Sequence, residues 1–182
     1  MLLNMLRDET IKIIDNALSL DDFNYIRDVM WSDEFPWGMS QGYATLNTGD
    51  PELEFKFSHT FYNGIYQRSN FFELLNPIFN ILQPRAFIRI QAIVSPRADK
   101  LVKTGYHSDI AGCITAIYYL NTCNGPLHFK DHPSVDAVEN RLVIFNSDLI
   151  HCGTKCTDND RRTLINFNYY ERHNKDAEFT FN

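Results

Sequence analysis

The chain has 182 residues, 44% of them hydrophobic and 22% charged, and a formal net charge of −6. That length supports a buried core in a single domain over 1–182, and an acidic chain with scattered basic residues suits neither a nucleic-acid backbone nor a membrane surface. No apolar run approaches the roughly 20 residues that span a bilayer, and MLLNMLRDET turns polar too early for a secretory leader. The expectation is a cytoplasmic protein whose cysteines, Cys113, Cys123, Cys152 and Cys156, stay free thiols.

Residues 11–14 alternate with polar positions and predict a short edge strand. Ser19-Leu20-Asp21-Asp22 is a capping signal, and Phe23, Ile26, Val29 and Met30 recur at helical spacing, which predicts a helix over 20–31. Asp21 and Asp22 therefore mark a helix start rather than an acid–base pair, and Trp31 and Trp37 read as packing of the helical layer. Residues 33–50 contain Pro36, Gly38, Gly42 and Gly49 and predict a loop-rich stretch suited to a lid; 50–70 are expected to shape substrate access. A second helix is predicted over 69–82, with Phe72, Leu75, Phe79 and Leu82 on one face and Pro77 as a kink or split.

From residue 86 the period changes to two. Strands are predicted over 87–94, 113–120, 127–130, 141–146 and 162–170, with Gly and Pro in the gaps. The architecture that follows is mainly β with N-terminal helices: a helical layer over about 1–85, then a double-stranded β-helix, or jelly-roll barrel, over about 86–182. Arg89 and Gln91 share one strand face, and Arg162, Asn166 and Asn168 share another, opposite Thr163, Ile165, Phe167 and Tyr169. With the apolar sets covered by helices, the polar sets face the interior, where a ligand site needs them.

His107 and Asp109 are two apart and leave one face of an extended segment. His151 follows a turn at Asn146-Ser147-Asp148 that can return it to the same place. Two imidazoles and one carboxylate hold iron(II) on one side and leave the opposite positions open for O₂ and a co-substrate. A zinc site is the alternative, since Cys152 and Cys156 lie beside His151, but one Cys-x₃-Cys pair without a second is a weak signal. The remaining histidines, His59, His128, His132 and His173, read as surface or hydrogen-bonded structural residues, His128 being the one on a strand able to line the pocket.

Gly105-Tyr106-His107-Ser108-Asp109, Cys113 to Asn121, Asn124-Gly125-Pro126-Leu127-His128-Phe129, Asn140 to Phe145, His151-Cys152-Gly153-Thr154 and Arg162 to Asn168 follow one another at spacings similar to those of the iron(II)- and 2-oxoglutarate-dependent dioxygenases. The prolyl-4-hydroxylase-like members, including small phage and bacterial ones, are the ones it resembles, over roughly residues 86–170. The resemblance implies that His107, Asp109 and His151 ligate iron, and that Tyr119 hydrogen-bonds the distal carboxylate of 2-oxoglutarate. It also implies an arginine fork on that carboxylate. Strand alternation selects Arg162; Arg161 stays open as the adjacent alternative, because it would bring Thr163 inward.

In the family that the chain resembles, a carboxylate in the third ligand position goes with hydroxylation, so the resemblance implies hydroxylation of an unactivated C–H bond, with 2-oxoglutarate oxidised to succinate and CO₂ and ascorbate as a candidate reductant. The substrate is open between a prolyl residue of a peptide or protein and a small molecule. The competing class is a non-catalytic jelly-roll or cupin-like module that binds metal or ligand, since fold alone proves little. The terminal arginine discriminates: a non-catalytic module has no use for a carboxylate-binding cation above the metal.

Overall fold

Alternating apolar and polar positions dominate the chain, and the computed structural model, which describes residues 10–41 and 55–172, is accordingly built on antiparallel sheets. Its elements are β1 (Lys12–Ile14), α1 (Leu20–Met30), β2 (Gly38–Gln41), β3 (Phe55–Asn63), β4 (Tyr66–Gln67), a 3₁₀ turn (Phe72–Leu75), α2 (Asn76–Leu82) and β5 (Pro84–Pro96). Then follow β6 (Val102–Lys103), β7 (Ile114–Tyr119), β8 (Cys123–Phe129), β9 (Val135–Ala137), β10 (Leu142–Asn146), β11 (His151–Cys152), β12 (Thr154–Lys155) and β13 (Arg161–Glu171). The large sheet runs β1-β10-β7-β13-β5-β3-β2, with β4 paired to β3; smaller sheets are β11-β8-β9 and β12-β6.

Two apolar layers sandwich the large sheet. On one side, Phe23, Ile26 and Met30 of α1 and Ile78 and Leu82 of α2 pack on Ile90, Ala92, Ile165 and Phe167. On the other, Ile117, Tyr119, Leu164 and Phe145 pack on Leu127, Phe129 and Val135 of the small sheet. The long central strand β13 thus has its odd positions under the helices and its even positions inside the jelly roll, as its alternation predicts. The facing layers are separate sheets, the two-layer arrangement of the expected jelly roll, and among the described residues they do not close into one hydrogen-bonded barrel.

The capping signal does its expected work, since Ser19 Oγ accepts a hydrogen bond from Asp22 N at 3.2 Å and α1 ends with Trp31 as its cap. The second predicted helix is divided. Pro77 can sit only in a first helical turn, so Phe72–Leu75 form a 3₁₀ turn and α2 starts at Asn76. The expected helical layer also contributes strands. Phe55, Phe57, His59 and Phe61 alternate with Lys56, Ser58 and Thr60, a period of two that builds the nine-residue β3 beside β5. Of the predicted 33–50 loop, Gly38–Gln41 are strand and 42–50 lie outside the described residues.

Asn140 ties the N-terminal segment to the sheets. It is buried and sits at φ 56, a left-handed geometry that asparagine tolerates. Its Oδ1 accepts from Leu18 N at 3.0 Å and from Tyr118 Oη at 2.8 Å, while Nδ2 donates to Leu18 O at 2.9 Å. Asn140→Ala leaves those buried groups without partners and is expected to lower unfolding stability by about 2–4 kcal/mol. Urea denaturation measures it; a loss under about 0.5 kcal/mol contradicts this role.

Candidate metal centre

The site starts from two backbone hydrogen bonds. His107 N donates to His151 O at 2.9 Å and His151 N donates to His107 O at 2.8 Å, forming an isolated antiparallel bridge between segments far apart in sequence. Residues opposed in such a bridge point to the same side, so the imidazoles stand with ring centroids 4.8 Å apart. Asp109, two residues on, joins them: His107 Nε2 is 3.9 Å from Asp109 Oδ1 and His151 Nε2 is 4.0 Å from Asp109 Oδ2. One ligand atom from each residue lies within 4.8 Å of the others, the one such cluster among the described residues.

Hydrogen bonding prepares each group as a ligand. His107 Nδ1 lies 3.1 Å from Gly105 O and His151 Nδ1 lies 2.8 Å from Leu149 O. A carbonyl only accepts, so each Nδ1 carries the proton and each Nε2 turns a lone pair to the centre. Burial pushes the His151 pKa below its ordinary value, against the raising effects of the Leu149 carbonyl and Asp109. The imidazole therefore stays neutral, as metal ligation requires.

Asp109 Oδ2 accepts from Thr115 Oγ1 at 2.8 Å, Asn168 Nδ2 at 3.1 Å and Asn166 Nδ2 at 3.3 Å, and Arg89 Nη2 lies 3.4 Å from Oδ1. Burial acts to raise the Asp109 pKa, but His151, Thr115, Arg89 and Asn168 outweigh it and hold the group below its ordinary value. The carboxylate is ionised, and its crowded Oδ2 leaves Oδ1 as the more available ligand atom. This donor set fits a divalent cation, with two neutral nitrogens and one carboxylate on one side.

A cavity of about 350 Å³ opens beside the three ligands and reaches Arg162. Arg162 is 4% exposed; its Nε donates to Gly125 O at 2.8 Å and its Nη2 to Tyr119 Oη at 3.1 Å. Among the described residues no carboxylate is in ion-pair contact with it, so this buried guanidinium lines the cavity without a protein counter-charge. Glycine makes the room: a Cβ on Gly125 would stand 2.4 Å from Thr154 O and 3.1 Å from Arg162 Cδ, and one on Gly153 would stand 3.3 Å from Arg162 Nη1.

The other expectations resolve as follows. Arg161 is exposed, with its guanidinium 4.8 Å from the Trp31 ring centroid on the helical side, so Arg162 is the arginine at the cavity. Thr163, which the Arg161 alternative would turn inward, is buried and is not among the cavity residues. Tyr119, expected at the co-substrate carboxylate, is fully buried behind Arg162 and touches the guanidinium rather than the cavity wall. Arg89 and Gln91 line the cavity, as their strand face predicts.

His128 turns its Nδ1 to Ser134 Oγ at 2.7 Å and is not a cavity residue, while His59 is held by Pro36 O and Ser69 Oγ. His132 stacks edge-on against Phe129, and His173 lies outside the described residues. Cys152 and Cys156 do not join His151 in a ligand cluster, the one such cluster among the described residues being His107, Asp109 and His151, and burial with the adjacent Cys123 thiol pushes the Cys156 thiol up to about 11.

Sequence reasoning missed Thr115 and the carboxylate-bracing role of Arg89, Asn166 and Asn168. The signal for Thr115 is the one small polar side chain in a strand of aliphatic and aromatic residues, in phase with Ile117 and Tyr119. Metal affinity, measured by calorimetry, is expected to fall about 10–100-fold in Thr115→Val or Asn168→Ala, and to be lost in His107→Ala. It should also fall as the pH is lowered, because ligation needs a neutral imidazole; the burial that depresses the His151 pKa moves the loss from that residue to lower pH.

No family model and no curated protein matches the sequence. Solved structures do. An oxidoreductase of the 2OG-Fe(II) oxygenase family from Burkholderia pseudomallei is 14% identical at a TM-score of 0.64, covering 93% of this chain and 89% of that one. A prolyl hydroxylase from Trichoplax adhaerens, in complex with a hypoxia inducible factor oxygen degradation domain peptide fragment, is 16% identical at a TM-score of 0.63, covering 99% and 92%. A prolyl-4-hydroxylase from Pseudomonas putida is 16% identical at a TM-score of 0.59, covering 92% and 95%. Identities this low carry the architecture and nothing finer: the chain has the jelly-roll fold of the 2OG-Fe(II) oxygenases, prolyl hydroxylases among them.

Proposed function

We propose that the protein is an iron(II)- and 2-oxoglutarate-dependent dioxygenase that hydroxylates an unactivated C–H bond. The observation that carries the reading is the shared cavity: a two-histidine, one-carboxylate cluster at one end and a buried arginine, without a counter-charge among the described residues, at the other. His107, Asp109 and His151 would hold iron(II), and Arg162 would receive the distal carboxylate of 2-oxoglutarate through its planar fork. With both bound, the site supplies oxidative decarboxylation: O₂ gives one oxygen atom to 2-oxoglutarate, forming succinate and CO₂, and the other to the substrate, R–H becoming R–OH.

The residues around the site set the conditions for that chemistry. Tyr119 acts on the carboxylate through Arg162, fixing the guanidinium by its hydroxyl and by its ring, whose centroid is 5.2 Å from Cζ. Ile93, Ile117, Leu127 and Leu164 form the apolar part of the wall and keep water from the bound keto acid. A prolyl residue is one substrate class the reading includes, supported by the fold shared with the two prolyl hydroxylases.

Purified protein given iron(II), ascorbate and 2-oxoglutarate is expected to form succinate slowly without a further substrate. Asp109→Ala should abolish it, and Arg162→Ala should raise half-saturation by 2-oxoglutarate by at least about tenfold. Arg161→Ala should leave that value as it is. Succinate formation that survives Asp109→Ala contradicts the assignment.

A further inference from the structure

Among the described residues, four side chains hydrogen-bond Asp109, and one of them differs in kind. Thr115, Asn166 and Asn168 are neutral and all donate to Oδ2. Arg89 instead brings a positive charge to Oδ1, its Nη2 lying 3.4 Å away. Oδ1 is the oxygen that the neutral donors leave available to a metal. The guanidinium is held in that place by Asn168, its register partner across the β5–β13 pair. Asn168 Oδ1 accepts from Arg89 Nε at 3.0 Å, and Asn168 Nδ2 donates to Asp109 Oδ2 at 3.1 Å. One fully buried carboxamide thus ties arginine and carboxylate into a single unit.

The consequence is electrostatic. His107 and His151 would ligate as neutral imidazoles, so Asp109 supplies the negative charge of the cluster, and Arg89 balances it. A neutral donor braces a carboxylate without changing the charge that a metal meets. A guanidinium repels each charge the metal carries, so a ferric ion pays once more than a ferrous one. The Arg89 side chain is 35% exposed and that of Asp109 is 5% exposed, so water weakens this repulsion on one side only.

We propose that Arg89 sets the oxidation state the centre prefers: its charge keeps bound iron ferrous by disfavouring the loss of one electron that makes it ferric. The electron would pass to an external acceptor, and no bond is made or broken. The inference rests on the oxygenase reading, which needs a ferrous ion, and gives Arg89 a task beyond bracing Asp109. Charge close to a metal centre is one of the levers by which a protein tunes its potential.

Anaerobic redox titration of the iron-loaded protein tests it, with ferricyanide as oxidant, dithionite as reductant and ferric iron read by electron paramagnetic resonance. Arg89→Gln should raise the ratio of ferric to ferrous affinity about tenfold, a fall of ~59 mV in midpoint potential for a one-electron couple. Arg89→Lys, which keeps the charge, should stay close to the native potential. Calorimetry with manganese(II) checks that each variant still takes a divalent ion. Equal potentials in the native protein and Arg89→Gln would overturn the inference. So would an equal fall in Arg89→Lys, which would trace the shift to lost bracing rather than to charge. Loss of manganese(II) binding in Arg89→Gln would also overturn it, because the arginine would then be a requirement of binding itself. Native protein that holds no iron(II) has a different signature and would overturn the oxygenase reading together with this inference.

Discussion

The bridge between His107 and His151 is the constraint from which the centre follows. Its hydrogen bonds fix two imidazoles side by side from segments 44 residues apart, and the alternation of an extended chain then delivers Asp109 to the same face. The Gly105 and Leu149 carbonyls set both tautomers by accepting from Nδ1. Backbone, rather than other side chains, therefore orients both imidazoles, which makes the geometry a property of the fold. The carboxylate is handled differently: Asp109 is buried and depends on Thr115, Asn166, Asn168 and Arg89, which come from three strands of the large sheet.

That division explains why the sheet carries polar residues on its inner face. β13 supplies Arg162, Asn166 and Asn168 inward, while Ile165 and Phe167 lie under the helices. One strand thus connects helical packing, carboxylate bracing and the cavity-lining guanidinium. Asn166 and Asn168 are buried polar groups that cost stability unless bonded, and both bond Asp109. The glycines at 125 and 153 extend the same logic to the far end of the cavity, where a Cβ would press on Thr154 O or Arg162.

The clustering of His107, Asp109 and His151 and the place of Arg162 on the cavity wall were legible in the sequence because their information is local: a two-residue spacing, a turn before His151 and a period of two in the last strand. Arg161 and Arg162 were separated by the same period. The role of Tyr119 was less legible, since contact with Arg162 rather than with the cavity depends on how β7 and β13 pack. β3 carries a readable aromatic–polar alternation, but its membership of the large sheet depends on pairing with β5 across an irregularity between Thr60 and Tyr62. The division of the jelly roll into separate facing sheets is likewise non-local and cannot be read from strand periods alone. Pro77 was visible as a helix breaker, though the sequence did not say on which side helix would remain.

The central claim is that metal and keto acid occupy the two ends of one cavity, and thermal unfolding under ligand linkage tests it most directly. Under anaerobic conditions, manganese(II) alone should raise the melting temperature and 2-oxoglutarate should add a further increment only when the metal is present. In Arg162→Ala the metal increment should persist and the 2-oxoglutarate increment should vanish. An equal 2-oxoglutarate effect without metal, or with Arg162 removed, would contradict the account.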